Sequence, residues 1–234
     1  MQKKILTVAA VLAIILPISS AAYASDGLGK TLNTYYGTEN LSFGGLTYSG
    51  SDGGTIPQIR LGGSSRIGDF YLGNSARLAF GKIDGLKADR YAFNFMPGWI
   101  IPLNSDLDII PYVRLAAVLQ EQYSGTSLRN PGNRADLKFG YDLGGGAALQ
   151  WSPISRLVVM PSADISYYRQ GYAQYNNNND THSTVYLSTT EYREKLGVYY
   201  YLTNWLNIGV HVGADQFGTG TNLVSYGAGL GINF

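Results

Sequence analysis

The chain contains no cysteine, which excludes disulfide bonds, thiolate chemistry and the lipidated cysteine of an anchored lipoprotein. It has only two histidines, His182 and His211, and this scarcity argues against a histidine-rich metal site. The formal net charge is +1, with both signs spread along the chain, so no basic footprint for nucleic acid is present. Beyond the N-terminal segment, no apolar run reaches the roughly 18 residues of a membrane-spanning helix. We therefore expect no cofactor, no metal site and no catalytic centre of these kinds.

The N-terminal segment has the parts of a secretory signal peptide. A basic start precedes the apolar residues 5–16, and residues 22–24 read Ala-Tyr-Ala, a small-x-small cleavage site. A membrane anchor would need about 20 apolar residues, whereas Pro17 follows this short run directly. We expect residues 1–24 to be removed and residues 25–234 to form one exported domain.

The last twelve positions carry the clearest structural pattern of the chain. Apolar or aromatic side chains recur at every second position: Val224, Tyr226, Ala228, Leu230, Ile232 and Phe234. The residues between them are small or polar, and a period of two with one apolar face predicts a strand between two different environments. A soluble sheet would leave the terminal aromatic residue unburied.

The same alternation recurs upstream and predicts an all-β chain. Eight clear strands lie between residue 69 and the C-terminus, and two weaker candidates cover residues 40–49 and 55–63. In the first of these, Leu46 and Tyr48 are out of phase with the preceding apolar residues, which predicts a bulge at Gly44 and Gly45. The strand count is then ten, with eight as the alternative.

These features resemble the small bacterial outer-membrane β-barrel proteins, over essentially the whole mature chain. The resemblance implies a transmembrane, antiparallel up-and-down β-barrel in the outer membrane, with both termini in the periplasm. It also implies outer-membrane lipid and the barrel-assembly machinery as partners. In this family the machinery reads the aromatic-ended last strand, here Tyr226, Leu230, Ile232 and Phe234.

The connections fit such a barrel. We expect short inner turns at residues 102–106, 152–155 and 202–204, and long polar outer loops at residues 124–136 and 171–183. Trp99, Trp151 and Trp205 each lie beside an inner turn, which predicts an aromatic belt at one membrane interface. The outer loops are the candidate contact region for an extracellular ligand.

The inward face of the predicted strands carries a series of charged groups. They are Arg60, Arg77, Arg90, Arg114, Asp142, Asp164, Glu191, Arg193, Lys195, His211 and Asp215. Unpaired charges are costly in a narrow lumen, so one interpretation is a network of ion pairs that fills the barrel. The alternative is a narrow water-filled pore with a mild preference for anions, because basic residues outnumber acidic ones.

An enzymatic alternative has little support in the sequence. Asp180 and His182 resemble the Asp/His pair of the omptin proteases, but the nearest acidic pair, Asp106 and Asp108, lies on the predicted inner side of the barrel. The His-x-Ser motif of outer-membrane lipid A deacylases has no counterpart, since the residue two after His211 is a glycine. The leading hypothesis is therefore a non-enzymatic barrel that serves envelope integrity or surface interaction through its outer loops.

Overall fold

The computed structural model describes residues 37–49, 53–83, 86–120, 138–176, 181–218 and 222–233. Among these residues there is no helix long and apolar enough to cross a membrane. The signal peptide predicted at residues 1–24, the loop at residues 124–136 and the terminal Phe234 lie outside the described residues, so they stay predictions.

The described part of the chain contains ten long strands. They are β1 (Gly37–Tyr48), β2 (Gly54–Ile67), β3 (Phe70–Ala79), β4 (Arg90–Trp99), β5 (Leu107–Gln120), β6 (Lys138–Ile154), β7 (Leu157–Asn176), β8 (Thr181–Tyr201), β9 (Leu206–Phe217) and β10 (Asn222–Asn233). Each strand pairs antiparallel with the next along the chain, and β1 also pairs with β10, which closes the sheet. The predicted ten-stranded, up-and-down barrel is confirmed, and the eight-stranded alternative is wrong.

The two faces of the barrel differ as the period of two requires. On β5, Val113 is 50% exposed, while the adjacent Arg114 is 1% exposed. Successive side chains of a strand point to opposite faces, so the apolar series faces outward and the polar series faces the lumen. Because backbone groups cannot remain unpaired in hydrocarbon, only a closed barrel of this kind lets strands cross a membrane.

The barrel has two distinct ends. The end that we call the turn end carries the short connections, at residues 68–69, 104–106, 155–156 and 202–205, together with Gly37 and Asn233. Gly68 has a φ of 60°, a left-handed conformation that permits the two-residue turn between β2 and β3. The opposite end, which we call the loop end, includes a small hairpin in which Lys82–Ile83 pairs with Leu86–Lys87.

The bulge predicted at Gly44 and Gly45 is wrong. The register of β1 with both of its neighbours is unbroken from Thr38 to Tyr48. Alternation therefore continues along β1, and Leu46 lies inside the barrel, where it is fully buried against Ile56 of β2. The apparent change of phase in the sequence reflects an apolar patch within the lumen and not a kink in the strand.

The loop predicted at residues 171–183 is also largely wrong. Strand β7 continues to Asn176 and β8 begins at Thr181, and their Cα register runs without a break as far as this pair. The composition of this segment is polar, yet cross-strand pairing prolongs the hairpin, and residues 177–180 alone fall between the two strands. Tertiary pairing here overrides a loop-like composition.

Candidate functional site

The lumen contains the charged residues that the alternation predicted there, and the structure divides them into two groups. The central cluster consists of Arg77, Arg90, Arg114, Asp142, Asp164, Glu191, Arg193 and Asp215, all buried. The remaining three, Arg60, Lys195 and His211, line a cavity nearer the turn end. The central cluster contains both arginines and carboxylates, whereas the three cavity residues include no carboxylate.

Arg114, which β5 points into the lumen, contacts carboxylates from three other strands. Its Nη2 lies 2.5 Å from Asp142 Oδ2, and its Nη1 lies 3.3 Å from Asp164 Oδ1 and 3.7 Å from Glu191 Oε2. These carboxylates belong to β6, β7 and β8 respectively. One guanidinium therefore ties four strands together across the interior.

Arg193 of β8 forms the second centre of the cluster. Its Nη2 lies 2.5 Å from Glu191 Oε1 and 3.6 Å from Asp142 Oδ2, and its Nε donates to Asp215 Oδ1 at 2.7 Å. Arg77 of β3 donates to the other oxygen of Asp215 at 3.2 Å. The network thus reaches from β3 across to β9.

Sequence reasoning did not single out Asn94, although it holds the two arginine centres together. Its Oδ1 accepts from Arg114 Nε and Nη2, both at 3.0 Å, and from Arg193 Nη1 at 3.4 Å. Tyr112 is a second omission, since its hydroxyl donates to Asp164 at 3.1 Å. Both residues occupy inward-facing positions of their strands. This alternation is the only feature of the sequence that indicates a role for them.

The central cluster is closely packed and balanced in charge. None of its members is more than 7% exposed, and arginines and carboxylates are equal in number. Arg90, the fourth arginine, is buried where Glu191 and Asp215 act on it electrostatically. Burying ions is costly, and such a cluster is stable only when its charges are paired and hydrogen-bonded.

Apolar side chains close the lumen on the loop side of the cluster. Leu46, Ile56, Ala79 and Leu223 pack together there, and none is more than 2% exposed. Partly buried hydrophobic residues pack against this group, among them Ile83 of the small hairpin. The alternation pattern did not predict this apolar layer, since it treats apolar side chains as outward-facing.

A partly open cavity of about 170 Å³ occupies the turn half of the lumen. Arg60, Arg66, Lys195 and His211 contribute to its wall, and no aspartate or glutamate does among the residues that the structure describes. Polar groups such as those of Asn40, Ser42 and Ser162 also line it. The side chains that fill the rest of this half include an apolar group around Tyr71, Ile110 and Ala148.

The three tryptophans lie near the turn end and face outward. Trp99, Trp151 and Trp205 are 54%, 47% and 59% exposed. Trp99 also makes an edge-to-face contact with Phe70, with ring centroids 6.3 Å apart. Amphipathic rings in such positions suit the headgroup level of a bilayer.

The residues considered for hydrolysis are not brought together. His182 pairs through its backbone with Tyr175 at the loop end, whereas Asp108 pairs with Gln150 near the turn end. Asp180 lies outside the described residues. Within the described ranges, no three His, Asp or Glu side chains group as they would around a metal ion.

Comparison of the fold with solved structures identifies its class. The outer membrane protease OmpT from Escherichia coli matches with a TM-score of 0.57 and 9% sequence identity, covering 90% of this chain and 100% of that chain. The chain has the fold of a bacterial outer-membrane β-barrel protein. No protein-family model and no curated protein sequence matches this chain.

Other outer-membrane barrels give weaker matches. Neisserial surface protein A has a TM-score of 0.43 and 11% identity, covering 85% of this chain and 97% of that chain. The attachment invasion locus protein Ail of Yersinia pestis has a TM-score of 0.42 and 11% identity, covering 85% and 99%. At such identities the likeness concerns the fold alone.

Proposed function

We propose that this outer-membrane barrel is non-enzymatic and non-conducting, and that it serves envelope integrity or surface interaction through its loop end. The observation that carries the proposal is the buried central cluster, because charged side chains from seven strands fill the lumen instead of leaving a passage. Small barrels are generally filled by side chains, and only wider ones hold an aqueous channel.

The lumen supports this proposal over the narrow pore. An ion that moved through the barrel would have to part Arg114 from Asp142 and then cross the apolar layer around Leu46. Parting a buried ion pair costs several kcal/mol, and the apolar layer offers an ion no compensating ligand. The basic excess that suggested anion passage belongs to the turn-half cavity and not to a continuous path.

The connections at the two ends of the barrel support an orientation of the barrel in the outer membrane. Short turns and both described chain ends lie together, as they do on the periplasmic side of bacterial barrels. We therefore assign the turn end to the periplasm and the loop end to the cell surface. The long β7–β8 hairpin extends past the last residues that pair with β6 and β9, and with residues 124–136 it is the part proposed to make surface contacts.

An outer-rim hydrolase of the omptin type has less support. Its acidic half would have to come from Asp106 or Asp108, and those residues belong to the end opposite His182. Purified protein and an Asp180→Ala variant, assayed against a peptide library and labelled lipid A, provide the test. We expect no cleavage by either; cleavage by the wild type that the variant loses would instead establish a hydrolase.

The surface role is tested in cells that lack this protein. Expression of the wild type, or of a variant in which a short Gly-Ser linker replaces residues 124–136, is followed by exposure to detergent and a bulky antibiotic and by attachment assays. We expect the wild type to restore barrier or attachment and the shortened variant to fail. Both must show the heat-modifiable gel mobility of a folded barrel. If the wild type and the variant restored barrier or attachment equally, residues 124–136 would have no part in the proposed surface role.

A further inference from the structure

The central cluster leaves two basic side chains of the lumen without a carboxylate. Its own arginines and carboxylates are equal in number, so the positive excess of the inward face is confined to Arg60 and Lys195. Within the described residues, neither of these two makes an ion pair, and no carboxylate lines the cavity that they share; Asp164 of the central cluster acts on Lys195 only electrostatically, from outside the cavity wall. A charge enclosed without a partner is costly, so the cavity is electrostatically incomplete.

His211 lies in the same cavity and adds a further unsatisfied group. Its Nε2 is buried and has no hydrogen-bond partner among the described residues. The ring lies over Gly227 of β10, where a Cβ would be 2.7 Å from its Cε1, so glycine makes the room that the ring occupies. Arg60 and Lys195 are close enough to act on the imidazole electrostatically.

The strand register explains why these groups converge. Lys195 of β8 pairs with Gly213, two residues from His211 on β9, and His211 pairs with Gly227 on β10. Across β1, Ser42 pairs with Arg60 of β2. Gly213 and Gly227 make room for the side chains of Lys195 and His211, since a Cβ at these positions would lie 3.0 Å from Lys195 Cγ and 2.7 Å from His211 Cε1.

The donors that surround this space match a particular ligand chemistry. A guanidinium, an ammonium and an imidazole line it, and no acidic acceptor lies among the described residues of its wall. Guanidinium and ammonium groups make their strongest hydrogen bonds with phosphate-like oxyanions. We infer that the turn-half cavity binds a phosphate or sulfate group, either as the free ion or as an ester.

The two histidines provide a site-specific reporter. The refolded protein in micelles is titrated with inorganic phosphate at constant ionic strength while the imidazole signals are followed by NMR. His211 lines the cavity, whereas the backbone of His182 lies at the loop end. We expect a saturable shift of the His211 signal and no change in His182, with assignments from a His182→Gln variant.

Variants separate this site from nonspecific attraction. Lys195→Gln and Arg60→Gln should each weaken phosphate binding by about tenfold or more, the effect of losing one charge-assisted hydrogen bond. The matched control is Lys82→Gln, which removes an exposed lysine of the loop-end hairpin and should leave binding unchanged. Equal weakening by all three would overturn the inference in favour of nonspecific attraction.

The unfolding temperature distinguishes a lysine that binds phosphate from a lysine with only a structural role. In phosphate-free buffer, Lys195→Gln should unfold at a higher temperature than the wild type, because an unpaired enclosed charge is removed. Excess phosphate should raise the unfolding temperature of the wild type and not that of the variant. A variant that is destabilised in both buffers would contradict the site.

The source of the oxyanion is resolved by two probes. Saturable binding of inorganic phosphate supports a free ion, and binding of glycerol 3-phosphate alone supports a phosphate ester, such as a headgroup fragment. Either result supports the inferred site. If neither probe shifts the His211 signal, the cavity holds water only and the inference is wrong.

Discussion

Arg114 and Arg193 share the same two carboxylates. Arg114 lies 2.5 Å from Asp142 and 3.7 Å from Glu191, and Arg193 lies 2.5 Å from Glu191 and 3.6 Å from Asp142. The four groups close a ring in the lumen, in which each positive charge touches both negative ones. Because the members come from β5, β6 and β8, the ring fixes strands that do not all pair with one another.

The first prediction concerns the stability that this ring provides. Replacing Arg114 by alanine leaves Asp142, Asp164 and Glu191 buried without one of their cations. Breaking a buried charge network in this way costs about 3–5 kcal/mol in free energy of unfolding. Urea titration of the refolded barrel, followed by tryptophan fluorescence, measures the loss.

A matched control is available on the outward face. Arg169 lies 4.7 Å from the ring centroid of the exposed Tyr186, in a cation–π contact. Its replacement by alanine should cost less than about 1 kcal/mol. If Arg114→Ala were no more destabilising than Arg169→Ala, the ring would not hold the barrel together.

The second prediction concerns two adjacent glycines of β6. A Cβ on Gly146 would lie 2.5 Å from the Cβ of Asp164 and would also collide with the carbonyl oxygen of Ala163. A Cβ on Gly145 faces the other side and meets only a backbone oxygen, at 3.3 Å. Gly146→Ala should therefore destabilise the barrel by about 1–3 kcal/mol, and Gly145→Ala should be nearly neutral.

The same urea titration compares these two variants. Their substitutions are chemically identical and one residue apart, so propensity effects cancel in the difference. Equal costs at the two positions would mean that the close approach of Gly146 to Asp164 is not a constraint on the lumen.

The inward position of Arg114 was predictable from sequence, and its partners were not. Alternation with Val113 and Leu115 determines which face the arginine occupies. Arg114 and Asp164 belong to β5 and β7, which are not neighbours in the sheet. Their meeting depends on the tilt and closure of the barrel, which no local pattern records.

The bulge predicted from Leu46 and the loop predicted at residues 171–183 are wrong for different physical reasons. The position of Leu46 predicts a bulge only because period-two reasoning treats every apolar side chain as outward. The lumen nevertheless buries a small apolar group beside its charges. In the second case, hairpin pairing up to Asn176 and Thr181 extends strands through a polar sequence.

The third prediction concerns orientation. The chain has no cysteine, so single cysteines report position without background. Ser155, in a turn, and Lys82, in the loop-end hairpin, are both exposed. In intact cells, a membrane-impermeant maleimide should label Lys82→Cys and spare Ser155→Cys until the outer membrane is permeabilised. The reverse pattern would invert the proposed orientation.

The fourth prediction concerns depth in the bilayer. The chain contains only three tryptophans, and all lie near the turn end. Lipids that carry a quencher close to the headgroup should therefore reduce tryptophan fluorescence more than lipids labelled at the acyl-chain end. Stronger quenching by the deep label would contradict an interfacial position.

The final prediction tests whether the lumen is sealed. Mature protein is refolded and inserted into a planar lipid bilayer, and insertion is verified separately by its heat-modifiable gel mobility. The central cluster and the apolar layer around Leu46 predict insertion without discrete conductance steps. Discrete steps that scale with salt concentration would show an open passage and contradict the account.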